Sequence, residues 1–284
     1  MSQFFLDMGD NPFLVTGLLA GLLASLAGGV IGPYVVTRRI VFLAGAIAHI
    51  AVGGIGAAIF LADRFPATFG TLRPLHGATA AAVAAAVLLG LVHHQATERI
   101  DTLIGALWAA GMAVGILLIK FTPGYHTELM SYLFGNILYV GWEDVWRMVV
   151  LDAIIVAVTL LFHKRLLAIC LDEQQAELQG IHVLATNLVL LVLVALTVIS
   201  LTQVVGLILV IALLSLPAAT ASHLVSRLAP MIAVATALAM VLTTVPRIAV
   251  YGTRISPEPA IVLAAGTVYL AAVLWRRWGR RRTY

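Results

Sequence analysis

The sequence predicts an all-α membrane protein that crosses the lipid bilayer many times. Hydrophobic residues make up 62% of the 284 residues and charged residues only 11%, with a mean hydropathy of +1.05. A soluble domain carries about 25% charged residues. Apolar runs of about 20 residues, long enough to cross a bilayer, recur along the chain. The sequence lacks the ten-residue segments of alternating polarity that outer-membrane barrels need.

Nine apolar segments are predicted to span the membrane, with short charged or polar breaks between them. Only Thr202 and Gln203 separate the sixth from the seventh. One of these two is therefore expected to be tilted, broken or incomplete, and the count is eight if they form one element. The whole chain, 1–284, is expected to form a single transmembrane domain. The predicted spans are Phe13–Val36, Ile40–Leu61, Gly77–Val92, Thr102–Lys120, Val145–Phe162, Leu184–Leu201, Val204–His223, Pro230–Val250 and Pro259–Leu274.

Basic residues predict the orientation, because cytoplasmic loops carry an excess of them. With nine spans and a cytoplasmic C-terminus, 11 of the 17 basic residues lie inside and six lie outside. Five of those 11 belong to the basic tail at 276–284, so the tail decides the orientation. We expect a multi-pass protein of the cell membrane whose C-terminus is cytoplasmic.

The basic charge balance does not indicate a nucleic-acid partner. The net charge is +4 and the pI is near 9.5, but a basic tail after a last span is attracted to anionic lipid headgroups. The sequence contains no basic surface interleaved with aromatic residues that would bind a nucleic acid strand. The lipid bilayer is the expected partner of this charge.

Motifs for catalysis are missing from the sequence. There is no G-x-x-x-x-G-K-[ST] phosphate loop, no H-E-x-x-H and no G-x-S-x-G, which excludes the commoner ATPase, metalloprotease and serine hydrolase sites. Cys170 is the only cysteine, which excludes an internal disulfide and a cysteine metal cluster. We expect a non-catalytic subunit with no permanently bound cofactor, driven by energy from another subunit.

His49 is expected near mid-membrane, well inside the second span. Gly45, His49 and Gly53 are spaced i, i+4 and i+8, so they share one helix face, and the glycines let a neighbouring helix approach closely. A titratable residue at this depth is a candidate functional site, and imidazole is a good zinc ligand. We predict His49 as a metal ligand and Gly45 and Gly53 as path positions. The alternative is a packing histidine that is hydrogen-bonded to another helix.

Asp152 lies several residues inside the fifth span, after Arg147. Two interpretations compete: an interfacial acid near the outer headgroups, or an acid that lines a polar path. The residues alone favour the interfacial position. Asp152 is kept as a candidate path residue on the second interpretation.

The polar segment Asp172–Gly180, called the acidic segment below, has the features of a short helix. Asp172 can cap its start, with Gln175 reaching back as in a capping box, and Gly180 supplies a left-handed stop. Together with Glu173 and Glu177, Asp172 gives the segment three acids and no base, against the positive-inside trend. A docking surface for a partner and a solvated connector explain this composition equally well.

The segment Thr122–Trp146 on the outer side is rich in Tyr and Trp, which prefer the headgroup layer. It predicts a short interfacial or re-entrant helix around Glu128–Gly135. His126 and His76 lie in outer loops, where a role in meeting incoming metal is the less favoured interpretation.

Several motifs occur in order along the chain: Arg38-Arg39 followed by Gly45-x-x-x-His49, Glu98-Arg99-Ile-Asp101 continuing to Gly115, Ser131-Tyr-Leu-Phe-Gly135-Asn-Ile-Leu138, and the acidic segment. Together they resemble the permease family of ABC transporters that import zinc, manganese or iron. The resemblance covers nearly the whole chain.

The resemblance implies a permease subunit that moves a divalent metal ion by alternating access. It implies a second permease copy, ATPase subunits on the cytoplasmic face and an extracytoplasmic metal-binding protein outside. The acidic segment then corresponds to the coupling helix, and His49 to a position associated with the metal path. Near the dimer axis, two copies of His49 face each other. The residues implied to bind the ATPase are Asp172, Glu173, Gln175, Glu177 and Gly180.

One position departs from the family pattern. Many members carry an aspartate four residues before the path histidine, and this chain has Gly45. Zinc accepts nitrogen ligands readily and manganese prefers oxygen, so zinc is slightly favoured over manganese, with iron within the family's range. The rival class is a secondary metal transporter or channel without an ATPase. Such proteins place several ionisable residues at mid-membrane, where His49 is nearly alone.

Overall fold

The computed structural model describes residues 2–9, 11–95, 100–123 and 140–281, and the regular elements in these ranges are helices. Within them, eight helices are long and apolar enough to cross a bilayer, and Leu209–Leu224 is a shorter apolar helix. The predicted all-α polytopic class is confirmed. In chain order the helices are α1 (Ser2–Asp7), α2 (Pro12–Thr37), α3 (Val41–Arg64), α4 (Pro66–Phe69), α5 (Pro74–Gln95), α6 (Ile100–Lys120), α7 (Trp142–Leu171), α8 (Glu173–Leu178), α9 (Val183–Leu224), α10 (Leu228–Val250) and α11 (Pro257–Arg281).

Helix α7 is longer at both ends than the predicted span Val145–Phe162. Its last turns contain Lys164 and Arg165, which are exposed, whereas Leu166 and Ile169 on the opposite face are buried. An amphipathic face therefore continues the helix beyond the purely apolar run. The sequence-based boundary was placed at the charges, and the helix passes through them.

Helix α9 folds back on itself at Gly206, where φ is 69° and ψ is 169°. A Cβ placed on Gly28 of α2 would lie 3.8 Å from Leu201 Cδ1 and 3.6 Å from the Leu213 carbonyl oxygen. In a straight helix Leu201 and Leu213 would be about 18 Å apart. Because both lie next to Gly28, the two halves of α9 run back to back. The predicted break between the sixth and seventh spans exists, but it lies at Gly206 and not at Thr202. Glycine reaches this positive φ without strain.

Helix α2 runs through the interior and packs against α7, α9 and α10. A Cβ on Gly29 would lie 2.4 Å from Thr236 Cα of α10, and one on Gly32 would lie 2.3 Å from a backbone oxygen of α9. Small residues at these places let the helix backbones touch. The hydroxyls of Ser25 and Thr243 add a hydrogen bond of 2.9 Å between α2 and α10.

Helices α3, α5 and α6 form a second closely packed group, and α3 carries His49. A Cβ on Gly54 of α3 would lie 2.1 Å from the carbonyl oxygen of Gly77 on α5. A Cβ on Gly56 would lie 2.5 Å from the carbonyl oxygen of Gly115 on α6. Glycine on both sides of each contact holds α3 against its two neighbours at backbone distance.

The second half of α9 runs parallel to α2. Gly28 meets Leu213, and one turn later Gly32 meets Ala218, whose Cβ would lie 3.1 Å from an added Cβ. Both helices therefore finish at the same end of the bundle. His223, in the last turn of α9, lies at that end together with the last turn of α2.

Polar contacts hold both the acidic segment and the start of the basic tail at this end, each through its own partner. Arg38, just after α2, donates to Glu173 in α8 at 2.5 Å. Arg276 Nη1 in α11 donates to His223 Nδ1 at 3.0 Å. We call this end of the bundle the basic end. The acidic segment and the start of the tail thus lie on one side.

The predicted helix around Glu128–Gly135, with His126, lies within 124–139, outside the described residues. Glu98 and Arg99 also lie outside the described residues, as do residues 124–139 of the outer segment Thr122–Trp146. The last three residues of the tail, 282–284, are also outside the described ranges.

Candidate functional site

His49 lies on α3 with its ring half-buried against α6. Its Nδ1 is 3.0 Å from the carbonyl oxygen of Gly45, one turn earlier. Because a carbonyl only accepts, Nδ1 carries the proton of this hydrogen bond. The ring of Trp108 lies alongside, with centroids 4.4 Å apart and an interplanar angle of 33°. Nε2 is not the nitrogen that makes this bond, and it is the nitrogen that would bind a metal ion in the tautomer with the proton on Nδ1.

The space beside Gly45 is filled by the indole of Trp108. A Cβ on Gly45 would lie 2.6 Å from Cζ3 and 2.8 Å from Cη2 of Trp108, and 3.1 Å from Ile211 Cδ1. Any side chain at position 45 would collide with the ring unless the ring moved. The indole therefore fills the place where the carboxylate of the family pattern would stand.

Gly53 is also a close-packing position. A Cβ there would lie 2.9 Å from the carbonyl oxygen of Gly111 on α6. Gly45, His49 and Gly53 thus share one face of α3, and α6 packs against that face through Trp108 and Gly111. Both glycines contact protein here and do not border open space.

One chain supplies few metal ligands around His49. In the part of the chain that the structure describes, no three His, Cys, Asp or Glu side chains come together closely enough to hold a metal ion. A stable zinc site uses three or four protein ligands. A complete coordination shell at His49 therefore needs donors from outside this set.

Asp152 is 2% exposed and points into the bundle from α7. Ser200 Oγ of α9 donates to its Oδ1 at 3.2 Å, and its Oδ2 has no hydrogen-bond partner. The residues alone favoured an interfacial position, and the structure places Asp152 on the inward face of α7, ten residues after the helix begins at Trp142. His49 faces α6 whereas Asp152 faces α9, so the structure does not bring these two candidate path residues together.

The acidic segment forms the predicted short helix, Glu173–Leu178. Asp172 Oδ1 accepts hydrogen bonds from the backbone N–H of Gln174 at 2.9 Å and of Gln175 at 3.1 Å. Gly180 follows with φ of 78°, the left-handed stop that its position predicted. Within this described segment the Gln175 side chain makes no bond back to the Asp172 backbone, so only half of the capping box forms.

The surface of the acidic segment combines carboxylates with exposed leucines. Glu177 is exposed, Leu178 is 88% exposed, and Leu171 at the preceding helix end is also exposed. A solvated connector has no use for two exposed leucines beside its acids, whereas a protein interface buries them. The geometry therefore favours the docking interpretation over the connector.

Arg38 is a functional candidate to which sequence reasoning assigned no role beyond its charge and its place in a family motif. Its side chain is 7% exposed and donates to the Ile169 carbonyl oxygen, to Glu173 Oε1 and to Asn187 Oδ1. These partners are 131, 135 and 149 residues away along the chain. No local sequence signal identifies contacts at such separations.

Arg247 is a second buried arginine, which sequence reasoning counted among the outer charges. It lies inside α10, is 4% exposed, and its three guanidinium nitrogens have no hydrogen-bond partner. A fixed positive charge repels a metal cation at close range. Its position argues against a metal path along that side of α10.

The sequence is similar to a known protein family and to individual membrane proteins of bacteria. The sequence model of the ABC 3 transport family matches residues 10–276. The chain is 37% identical to a probable metal transport system membrane protein of Chlamydia trachomatis, over 94% of this chain and 90% of that protein. It is 31% identical to a manganese transport system membrane protein of Listeria monocytogenes, over 96% of this chain and 94% of that protein.

A solved structure has a similar fold over nearly the full length. PsaBC from Streptococcus pneumoniae in complex with Fab superimposes with a TM-score of 0.84. The identity is 26%, and the match covers 95% of this chain and 94% of that chain. The overall fold of this chain is therefore shared with PsaBC.

Proposed function

This chain belongs to the ABC 3 transport family, and from that premise we propose that it is the membrane-spanning subunit of an ATP-driven importer of divalent metal ions. The metal is cargo, not a resident cofactor. ATP is hydrolysed by separate subunits, and this chain provides a path that opens to the two sides of the cell membrane in turn. A second permease copy completes the path.

In this proposal the basic end is cytoplasmic. The start of the basic tail lies there, beside His223, and basic residues favour the cytoplasmic side. The ATPase subunits bind the acidic segment at that end, and an extracytoplasmic metal-binding protein delivers the ion to the opposite end. The ATPase-facing residues are Asp172, Glu173, Gln175, Glu177 and Gly180.

The observation that carries the metal assignment is the 3.0 Å contact from Nδ1 of His49 to the Gly45 carbonyl oxygen, which leaves Nε2 as the nitrogen that can bind a metal ion. The nearest position for a carboxylate, Gly45, is filled by Trp108, so nitrogen is the donor that this face offers. Zinc takes nitrogen ligands more readily than manganese does, and we propose zinc as the cargo. A second His49 across a two-fold axis would add one more nitrogen. Such sparse coordination lets the ion leave.

The other candidate path residues have different parts in this proposal. Gly45 and Gly53 keep α6 close to His49 and do not contact the ion. Asp152 contacts Ser200 of α9 and not the α6 side where His49 lies. It is a candidate to line a polar part of the path away from His49.

Manganese is the second candidate cargo. The relative from Listeria monocytogenes, 31% identical over 96% of this chain, is named as a manganese transport system membrane protein. Manganese would need oxygen donors, which the described surroundings of His49 do not supply.

ATP hydrolysis by the reconstituted complex, measured with zinc, manganese or iron, tests function and cargo together. We expect zinc to stimulate hydrolysis most. His49→Ala should lower this stimulation about tenfold or more, as the loss of a group in a metal shell does, while the ATPase subunits still copurify. His76→Ala, which changes an exposed histidine in the first turn of α5, is the matched control and should keep the wild-type response. Undiminished and equally selective stimulation in His49→Ala would remove His49 from the path.

Docking is tested separately with Glu177→Lys. Because Glu177 is exposed on the acidic segment, its reversal should weaken ATPase copurification and leave thermal unfolding of the chain unchanged. Unchanged copurification and transport would count against the coupling role. Metal uptake against a gradient into vesicles that hold this chain alone would favour the secondary transporter and overturn the proposal.

A further inference from the structure

Arg38 stands where the acidic segment meets the turn that leads into α3. We propose that Arg38 is the positioning residue that passes movement of the acidic segment to α3, and so to His49. This inference rests on the proposed function, since it takes the acidic segment to be the place where the ATPase acts. It adds the route by which that action reaches the metal path.

The Arg38 guanidinium bonds in three directions at once. Nη1 donates to the carbonyl oxygen of Ile169, near the end of α7, at 2.5 Å. Nη2 donates to Glu173 Oε1 in the acidic segment at 2.5 Å and to Asn187 Oδ1 in α9 at 3.1 Å. The rigid, planar fork of arginine holds such partners in fixed geometry, which a lysine ammonium on a flexible stem does not.

Burial strengthens this junction on the Arg38 side. The side chain of Arg38 is 7% exposed, whereas that of Glu173 is 45% exposed. An ion pair between fully exposed groups contributes little, but a buried arginine left without its carboxylate is an uncompensated charge. Arg38 is therefore expected to follow Glu173 when the acidic segment moves.

The turn after Arg38 is short and stiff. Arg38 N–H donates to the Tyr34 carbonyl oxygen at 2.9 Å and Ile40 N–H donates to the Val35 carbonyl oxygen at 3.0 Å. Between them, Arg39 adopts φ of 60°, a conformation that a non-glycine residue keeps only where its surroundings determine it. A three-residue connection held in this way transmits displacement and does not absorb it.

Helix α3 begins at Val41, directly after this turn. His49 is eight residues further on, a rise of about 12 Å along the helix. Because α3 is a continuous helix from Val41 to Arg64, a shift at its first turn reaches the imidazole. The path from Glu173 to His49 thus runs through one side chain, one tight turn and two turns of helix.

The test compares Arg38→Gln with Arg39→Gln in the complete complex reconstituted with its ATPase subunits and metal-binding protein. Arg39 is the matched control, because it is the same residue type at the next position and its side chain is exposed. Three quantities are measured: ATPase subunits retained per permease, zinc stimulation of ATP hydrolysis, and zinc transported per ATP. We expect Arg38→Gln to retain the ATPase subunits and to lose zinc stimulation and transport per ATP about tenfold. Arg39→Gln should match the wild type.

A double-mutant cycle separates transmission from general destabilisation. Glu173→Gln should lower zinc transport per ATP, and the pair Arg38→Gln and Glu173→Gln should be no worse than Arg38→Gln alone, because both remove one link. Arg38→Lys, which keeps the charge and the fold but loses the fork, should fall between wild type and Arg38→Gln. Additive losses in the cycle would overturn the proposal.

The outcomes also distinguish this inference from the proposed function. If the wild-type complex retains its ATPase subunits and Arg38→Gln transports like the wild type, the inference alone fails. If Arg38→Gln and Arg38→Lys both release the ATPase subunits, Arg38 only shapes the docking surface and the inference fails as well. A wild-type chain that binds no ATPase overturns both.

Discussion

The junction at the basic end and the middle of the bundle differ in how their polar groups are bonded. At the junction Arg38 has three partners, and the Asp172 carboxylate accepts two backbone N–H groups. In the middle, His49 bonds only a carbonyl of its own helix, and Asp152 bonds one hydroxyl and leaves Oδ2 free. A polar group that is hydrogen-bonded to several protein partners is held in place, whereas a group with an unused lone pair can coordinate a passing ion.

This difference fits a transporter, because tight coordination would trap the cargo. A structural zinc site with four protein ligands contributes about 10–16 kcal/mol of binding free energy. A path that offers one imidazole per chain avoids such a trap. In the proposed mechanism, hydrogen bonds are concentrated instead at the junction that passes movement of the acidic segment to α3.

The sharpest test of the few polar groups around His49 is to add a carboxylate at position 45, where the family pattern has an aspartate. Gly45→Asp should lower zinc-stimulated ATP hydrolysis about tenfold or more, because its Cβ alone would lie 2.6 Å from Trp108 and overpacking costs about 1–3 kcal/mol. Combining Gly45→Asp with Trp108→Gly should restore hydrolysis and increase the response to manganese, which prefers oxygen ligands. Stimulated hydrolysis and thermal unfolding measure both effects.

The control for added volume is Gly266→Ala on α11, where a Cβ would have nothing within 4 Å. It should behave as the wild type. If Gly45→Asp alone transported zinc normally, the ring of Trp108 would not be fixed and the middle would be less constrained than the structure indicates.

A smaller effect is expected from the exposed leucine of the acidic segment. Leu178→Ala should weaken ATPase binding about tenfold, equivalent to about 1.4 kcal/mol, as truncation of an interface anchor does. Because Leu178 is 88% exposed, thermal unfolding of the isolated chain should not change. Titration of the ATPase against the permease in nanodiscs measures the binding. Loss of stability in the isolated chain would mean that Leu178 packs within the permease.

The smallest effect is expected at Asp152. Asp152→Asn keeps a similar shape and the Ser200 bond, and it replaces a carboxyl group that has a single donor in an apolar interior. The free energy of unfolding should therefore change by less than about 0.5 kcal/mol or rise. Thermal unfolding in detergent measures this. A large loss of stability would reveal an ionised Asp152 with a partner and would remove the contrast between the two regions.

Sequence reasoning predicted the features that depend on local chemistry. Apolar runs gave the spans, and the cap at Asp172 with the stop at Gly180 gave the short helix, because both depend on residues within a few positions. It also placed Gly45, His49 and Gly53 on one face, which follows from helical periodicity. These predictions need no knowledge of which helices are neighbours.

The features that it missed depend on contacts between distant segments. Helix packing places Trp108 beside Gly45 and Asn187 beside Arg38. The residues around Trp108 and Asn187 in the sequence give no sign of either contact. Asp152 was placed near the headgroups because its depth depends on where α7 begins. Arg247 was counted among the outer basic residues within the predicted span Pro230–Val250, and its burial inside α10 was not predicted.

The fold-back at Gly206 has a consequence for its surroundings in the membrane. Each helix end leaves backbone groups without partners in its own helix, and in hydrocarbon each such group costs several kcal/mol. Broken helices are tolerated at membrane depth only where protein encloses them or where they border a wet cavity. Leu201 and Leu207 beside the break are buried, so protein and not lipid encloses the break, which is the setting in which a helix can be broken at membrane depth.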